Sequence, residues 1–320
     1  MPKWNVYVTR MIPQPAIERL QQHCEVTVNS EDRVLTRAEL LREVAGRDAV
    51  LCLLTDTIDV AVLDAAKGAK IFANYAVGYN NIDLQAASDR GILITNTPGV
   101  LTDTTAELAW ALLFAVARRV VPADQFTRAG RFEGWGPMLF LGQDVTGKTL
   151  GIFGGGRIGS AFGKKAKGFE MKLLYCDVQR NPEFEAETGA EYVTKERLLR
   201  ESDFVSLHIP LLPETRHFIG AAELRLMKPT AILINTSRGP VIDEAALVDA
   251  LWNRTIWGAG LDVFEAEPEL APGLTELDNV VILPHIASAT IATRTQMGLM
   301  AAENILAALR GETPPNWVNR

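Results

Sequence analysis

TLGIFGGGRIGSAFGKKAKGFEMKLLYCD, residues 149–177, decides the fold. It opens on a short apolar run, Leu150-Gly151-Ile152-Phe153, with the length and boundaries of a buried strand. Gly154, Gly156 and Gly159 follow in G-x-G-x-x-G spacing, then helical residues from Ile158 to Lys167 and a second apolar run, Met171 to Tyr175, that leads into Asp177. In such a strand–turn–helix–strand unit the first glycine permits the tight turn, the second lets backbone approach a pyrophosphate, and the third lets helix and strand pack closely. The N–H groups and positive end of the helix hold phosphates. An acid closing the second strand, here 18 residues past the last glycine, accepts hydrogen bonds from a ribose diol. The stretch predicts a Rossmann dinucleotide-binding unit.

Outward from it, strand and helix patterns alternate in both directions. Towards the N-terminus, strands are expected at Trp4–Thr9, Glu25–Val28, Ala49–Leu54, Lys70–Ala73 and Ile92–Asn96, separated by helices at 16–23, 36–45, 60–67 and 84–90. Thr36 and Glu39 stand in capping-box spacing. Towards the C-terminus, strands are expected at Phe204–His208, Ala231–Asn235, Gly258–Asp262 and Val280–Leu283, with helices at 221–227 and 243–253. This alternation implies an α/β chain with two doubly wound parallel sheets. Thr97-Pro98-Gly99 interrupts the pattern and suits a crossing between domains, before an apolar helix at about 103–119 capped by Thr102 or Asp103. A last helix, roughly 289–309, is long and apolar enough to return to the first domain. The expected domains are therefore 1–98 with 288–320, and 99–287. The segment 130–147 has no strand or helix period, yet carries Trp135, Met138 and Phe140, which need burial somewhere, a partner subunit being one option.

Composition narrows the function. A chain of 320 residues with 48% apolar residues builds more than one core, and a net charge of −7 argues against nucleic-acid binding. Cys24, Cys52 and Cys176 are scattered, without zinc or disulfide spacing, and read as reduced thiols. The N-terminus lacks the apolar core of a signal peptide, and the run Leu108–Ala117 is too short to span a bilayer. A soluble, cytoplasmic protein without a metal site or membrane partner is expected.

Hydride chemistry on a dinucleotide asks little of the protein beyond binding, a proton donor and a cation for an anionic substrate. Of four histidines, His23 and His217 lie in polar surroundings. His208 ends a strand before Pro210, where ligands gather, and is suited to backbone contact with a cofactor. His285 follows Pro284 at the carboxyl end of the last strand, a position that fits a catalytic histidine and a satisfied core histidine alike. Arg238 leaves the strand 232–235 towards the same edge, and arginine can bind a carboxylate through two parallel hydrogen bonds. Glu267 lies among three acids after the strand 258–262, a pattern that also fits an exposed loop.

These residues carry a resemblance. The segments AVGYNNID (76–83), NTPGVLTDTTAELA (96–109), GKTLGIFGGGRIG (147–159), INTSRGPVIDEAAL (234–247), GAGLDVFEAEP (258–268) and LPHIASAT (283–290) resemble the D-isomer-specific 2-hydroxyacid dehydrogenases over nearly the whole chain. Within that family the chain is most similar to the glyoxylate/hydroxypyruvate reductases. The resemblance implies a Rossmann domain and a flavodoxin-like substrate domain with a cleft, and a catalytic set of Arg238, Glu267 and His285. His285 would protonate the forming alkoxide with Glu267 behind it, while Arg238 and the backbone amides of Val77 and Gly78 would bind the 2-keto acid. The cofactor would meet Thr105, Arg157, Ile158, Thr236, Ser237, Asp262 and Ser288, besides the glycine turn. The family further implies a homodimer built on the segment after Pro98, with Trp135 reaching the partner's active site. Asp177 repels a 2′-phosphate, so NAD(H) is preferred, while Arg180 leaves room for NADP(H). A broader 2-ketoacid or 2-ketogluconate reductase and a phosphoglycerate dehydrogenase are the enzymatic alternatives, the last disfavoured because no regulatory domain follows the final helix. An NAD(H)-sensing corepressor is the non-enzymatic alternative.

Overall fold

Short apolar runs rich in Val, Ile, Leu and Phe form strands buried on both faces, and the amphipathic segments joining them form the covering helices. The computed structural model describes residues 3–320. Two units result: one holds the chain up to Leu101 together with Ser288–Arg320, the other Thr102–Ala287.

The first unit runs β1 (Trp4–Val8), α1 (Gln14–Gln21), β2 (Cys24–Val28), α2 (Arg37–Val44), β3 (Ala49–Cys52), α3 (Val60–Ala65), β4 (Ile71–Asn74), α4 (Leu84–Asp89) and β5 (Leu93–Thr95). The five strands are parallel, in the order β2-β1-β3-β4-β5, the flavodoxin-like arrangement. Successive strand residues point to opposite faces. Leu51, Ile71 and Ala73 therefore pack under α1, while Val50, Cys52 and Phe72 pack under α2, α3 and α4. The expected capping box forms: Thr36 accepts from the Glu39 amide, and Glu39 accepts from the Thr36 amide.

The second unit runs α5 (Thr102–Ala117), α6 (Val120–Arg128), β6 (Thr149–Phe153), α7 (Arg157–Lys165), β7 (Lys172–Cys176), α8 (Pro182–Thr188), β8 (Glu191–Tyr192), α9 (Lys195–Glu201), β9 (Phe204–Leu207), α10 (Ala221–Leu226), β10 (Ile232–Asn235), α11 (Glu244–Trp252), β11 (Gly258–Leu261) and β12 (Val280–Ile282). Its seven strands are again parallel, in the order β12-β11-β10-β9-β6-β7-β8. The order reverses between β6 and β9, so the glycine turn after β6 opens at the switch point, where ligands bind in such sheets. The last helix, α12 (Ile291–Leu309), completes the first unit by burying Met297, Ala301, Ile305 and Leu309 against its sheet.

Four elements differ from the sequence reading. α6, α8, β8 and α9 are not expected from the pattern, because α6 buries no residue and the others are short and polar. Thr102 and Asp103 already belong to α5 rather than capping it, and Asp103 pairs with Lys165 at 2.7 Å.

Candidate active site

The site is built from the carboxyl ends of the strands of the second unit. At β6, Gly154 has φ +92°, and a Cβ there would lie 2.5 Å from the His208 carbonyl oxygen just past neighbouring β9. A Cβ at Gly159 would collide with the Gly154 carbonyl, so this glycine sets the close approach of α7 to the turn. A Cβ at Gly156 meets nothing within 4 Å. It would instead fill the cradle in front of α7, whose N-terminus no side chain caps, leaving the first-turn N–H groups of Arg157 and Ile158 for a phosphate. Asp177 folds back over the turn: its Oδ2 accepts from Gly155 N at 2.7 Å and its Oδ1 from Val178 N at 2.6 Å. Asn181 Nδ2 and Ser160 Oγ both donate to the Gly155 carbonyl, at 2.7 and 2.9 Å. Open space at Gly156, uncapped donors and a fixed carboxylate fit a dinucleotide. Arg180 is committed elsewhere, donating to Glu185 at 2.6 and 3.0 Å.

At β10, Asn235 organises the exit of the chain. Its Oδ1 accepts from Ser237 N and Ser237 Oγ at 3.0 and 2.8 Å, and its Nδ2 donates to the Arg238 carbonyl at 3.0 Å. The Arg238 side chain turns back, with Nη1 donating to the Ser237 carbonyl at 2.7 Å. Thr236 is buried, and its hydroxyl is an orphan with no partner among the described residues, which suits a ligand group at this edge. Glycine at 239 lets this loop touch the Phe264–Glu265 backbone, since a Cβ would collide with the Phe264 carbonyl.

At β11, fully buried Asp262 accepts from Ile286 N at 2.8 Å and from Ala287 N at 2.7 Å. Those two amides immediately follow His285, whose φ of +56° is a left-handed conformation that costs a non-glycine residue about 1 kcal/mol. His285 Nδ1 meets Glu267 Oε2 at 2.9 Å, and Glu267 Oε1 accepts from Phe264 N at 3.0 Å. The carboxylate assigns the proton to Nδ1, leaving Nε2 outside the pair, and the imidazole is 25% exposed.

Charge follows this geometry. Burial alone would raise Glu267, but the His285 contact, the Phe264 amide and Arg238 outweigh it and hold the carboxyl below its usual value. Burial lowers Arg238 from its ordinary value, with Glu267 opposing. Burial raises Asp262, opposed by its two amide donors and His285. His208 is different: desolvation pushes it down to about 3, its Nε2 lies 2.9 Å from Ser206 Oγ, and its ring packs on Phe162.

The other expected site residues are dispersed. Thr105 is buried on α5, and Trp135 is 85% exposed. Ser288 opens the return segment of the first unit. Val77 and Gly78 follow β4 in that unit, partly exposed. His217 pairs with Glu265 at 2.6 Å, and His23 lies near Arg19. Among the functional groups, sequence reasoning misses Asn235; an asparagine as the last residue of a buried strand, just before the Arg238 loop, is the available signal.

A parallel sheet with a glycine turn at its switch point and a histidine–carboxylate pair at its strand ends defines a dinucleotide-dependent oxidoreductase. Residues 110–287 match the model of the D-isomer specific 2-hydroxyacid dehydrogenase NAD binding domain. The chain is 53% identical to a glyoxylate reductase of Thermococcus litoralis, over 99% of this chain and 97% of that one. A solved protein of Thermus thermophilus is 45% identical with a TM-score of 0.91, covering 98% of this chain and 99% of that one. An NADPH-dependent glyoxylate/hydroxypyruvate reductase of Sinorhizobium meliloti, solved with NADP and malonate, is 32% identical with a TM-score of 0.86, covering 99% of this chain and 97% of that one. The chain belongs to the D-isomer specific 2-hydroxyacid dehydrogenase family and is an oxidoreductase that works with a nicotinamide cofactor.

Two outcomes follow from the turn and from His208. Gly159→Ala should destabilise the protein by about 2 kcal/mol or more, because the helix must move off the turn. Gly156→Ala should leave the melting temperature near wild type yet weaken NADH binding about tenfold. Thermal melts and fluorescence titration check the pair, and equal effects on stability would contradict it. For His208, the unfolded imidazole takes up a proton as pH falls through about 6.5 while the folded one stays neutral until about 3. Its contribution to stability is therefore complete above about 6.5 and is lost at up to about 1.4 kcal/mol per pH unit below that. Denaturant unfolding of His208→Gln should show a correspondingly flatter acid limb than wild type; parallel curves would refute the desolvated neutral state.

Proposed function

We propose that the protein reduces glyoxylate, and hydroxypyruvate with it, to the corresponding 2-hydroxy acid, preferring NADH. The observation that carries the reading is the 2.9 Å contact between His285 Nδ1 and Glu267 Oε2 at the same sheet edge as Arg238 and the glycine turn. The relative of Thermococcus litoralis supports the substrate.

When bound, the reduced nicotinamide supplies a hydride to the carbonyl carbon. His285 Nε2 donates the proton that the carbonyl oxygen requires, and Glu267 stabilises the charged imidazole before transfer. Arg238 remains cationic despite its burial, polarises the keto oxygen and binds the carboxylate. The Val77 and Gly78 amides are the proposed carboxylate partners in the first unit. On the cofactor side, the Arg157 and Ile158 amides take the pyrophosphate, and Thr236 offers its unpartnered hydroxyl, with Thr105, Ser237, the His208 backbone and Ser288 completing the set. Asp262 acts there through the backbone it holds.

The preference for NADH rests on Asp177, whose fixed carboxylate repels a 2′-phosphate, and on Arg180, whose charge is taken up by Glu185. Exposed Phe132, Trp135, Met138 and Leu141 support a homodimer, with Trp135 of one protomer extending to its partner's substrate. Free Cys24, Cys52 and Cys176 suit the reducing cytoplasm.

Initial rates with glyoxylate, hydroxypyruvate, pyruvate and 2-ketogluconate, each with NADH and NADPH, test the assignment. The highest kcat/KM is expected for glyoxylate with NADH, and a higher value with NADPH would overturn the role of Asp177. His285→Gln should lower kcat by about 10²- to 10⁴-fold while the NADH Kd holds. An equal loss of both would make the histidine structural.

A further inference from the structure

Three consecutive carbonyls after β4 are held by fixed donors. Ala76 O accepts from Thr97 N at 2.9 Å, Val77 O from Asn96 Nδ2 at 2.8 Å, and Gly78 O from Asn74 Nδ2 at 2.9 Å. A trans peptide is planar, with its C=O and the following N–H pointing in opposite directions. Holding the Ala76 carbonyl therefore aims the Val77 N–H away from Thr97, and holding the Val77 carbonyl aims the Gly78 N–H away from Asn96. Neither of these N–H groups has an acceptor among the described residues, and both residues are partly exposed. Two adjacent backbone donors aimed outward make a small anion site.

The backbone of Asn96 is itself braced. Asn96 is 8% exposed; its N–H donates to the Asn316 carbonyl at 3.3 Å, and fully buried Asn304 of α12 donates to its carbonyl at 3.5 Å. Asn304 in turn exchanges two hydrogen bonds with Asn316, both 3.1 Å. Asn74 is also buried, at the end of β4, but it holds the next peptide along, the one that carries the Tyr79 N–H.

We propose that Asn96 is a positioning residue for the substrate: through the Val77 carbonyl its side chain aims the Gly78 N–H at the carboxylate of the 2-keto acid. The assignment rests on the proposed role of the Val77 and Gly78 amides. It separates two asparagines of like burial and like hydrogen bonding, because only one of them holds a peptide of the amide pair.

Steady-state kinetics of Asn96→Ala and Asn74→Ala, with oxalate as a dead-end dicarboxylate, test it. Asn96→Ala should raise the glyoxylate KM and the oxalate inhibition constant about tenfold, the scale of one misaligned charge-assisted hydrogen bond. Its kcat should change much less, and its NADH Kd should match wild type. Asn74→Ala, at a similar loss of melting temperature, should move KM and oxalate inhibition by less than about threefold. Equal shifts in the two variants, or wild-type values in Asn96→Ala, would overturn the proposal. If Asn96→Ala does not fold, amide exchange in the wild-type enzyme decides. Saturating oxalate should slow exchange at Val77 and Gly78 well beyond Tyr79, and an unprotected Gly78 would overturn the assignment. A wild-type enzyme that neither turns over a 2-keto acid nor binds oxalate would remove the functional reading and this proposal together. Turnover with no effect of Asn96 would remove only the proposal.

Discussion

One buried carboxylate fixes the reactive edge. Asp262 closes β11 and sets an oxygen against each of two successive amides, Ile286 and Ala287, just past His285. Hydrogen bonds to a charged acceptor contribute about 1.5–3 kcal/mol each, more than the roughly 1 kcal/mol a left-handed histidine costs. The turn itself is closed by His285 N donating to the Leu283 carbonyl at 3.0 Å, and the clamp holds it so that the imidazole meets Glu267. The pairing of His285 with Glu267 is thus a consequence of strand order: β11 and β12 lie side by side, so an acid at the end of one reaches the loop leaving the other.

The same reliance on fixed local groups governs binding. The protein carries a net charge of −7, so an anionic substrate gains nothing from the overall field. Local donors must supply the attraction, and the proposed ones come from backbone as much as from side chains. The first turn of α7 follows the glycine turn after β6, the Gly78 amide is held through Asn96, and Arg238 is the cation at the end of β10. Partial burial strengthens the interaction at Arg238, because less water is there to compete.

Much of this is legible in the sequence. Strands buried on both faces announce themselves as apolar runs, and the glycine spacing after β6 reads as a turn because Gly154 and Gly159 answer steric needs that the structure displays, while Gly156 leaves open space. Arg238, Glu267 and His285 are readable as polar residues just beyond apolar strands. The proximity of Glu267 to His285 is not, since 18 residues and an intervening strand separate them. Short elements such as β8 and α9 escape the reading because polar segments of this length carry no periodic signal, although Asn181-Pro182 and Gly189 bracket α8 with start and stop residues. Asn74, Asn96 and Asn235 escape it for another reason: the peptide to which a strand-end asparagine bonds is defined only by the fold.

The most direct measurement is kcat for glyoxylate, the proposed substrate, in Asp262→Asn at saturating NADH. The amide keeps the side chain's shape but offers only one oxygen where two backbone N–H groups now bond. A fall in kcat of about tenfold or more, with the protein still folded, is the predicted result. A kcat equal to wild type would contradict the account, because His285 would then hold its place without the clamp.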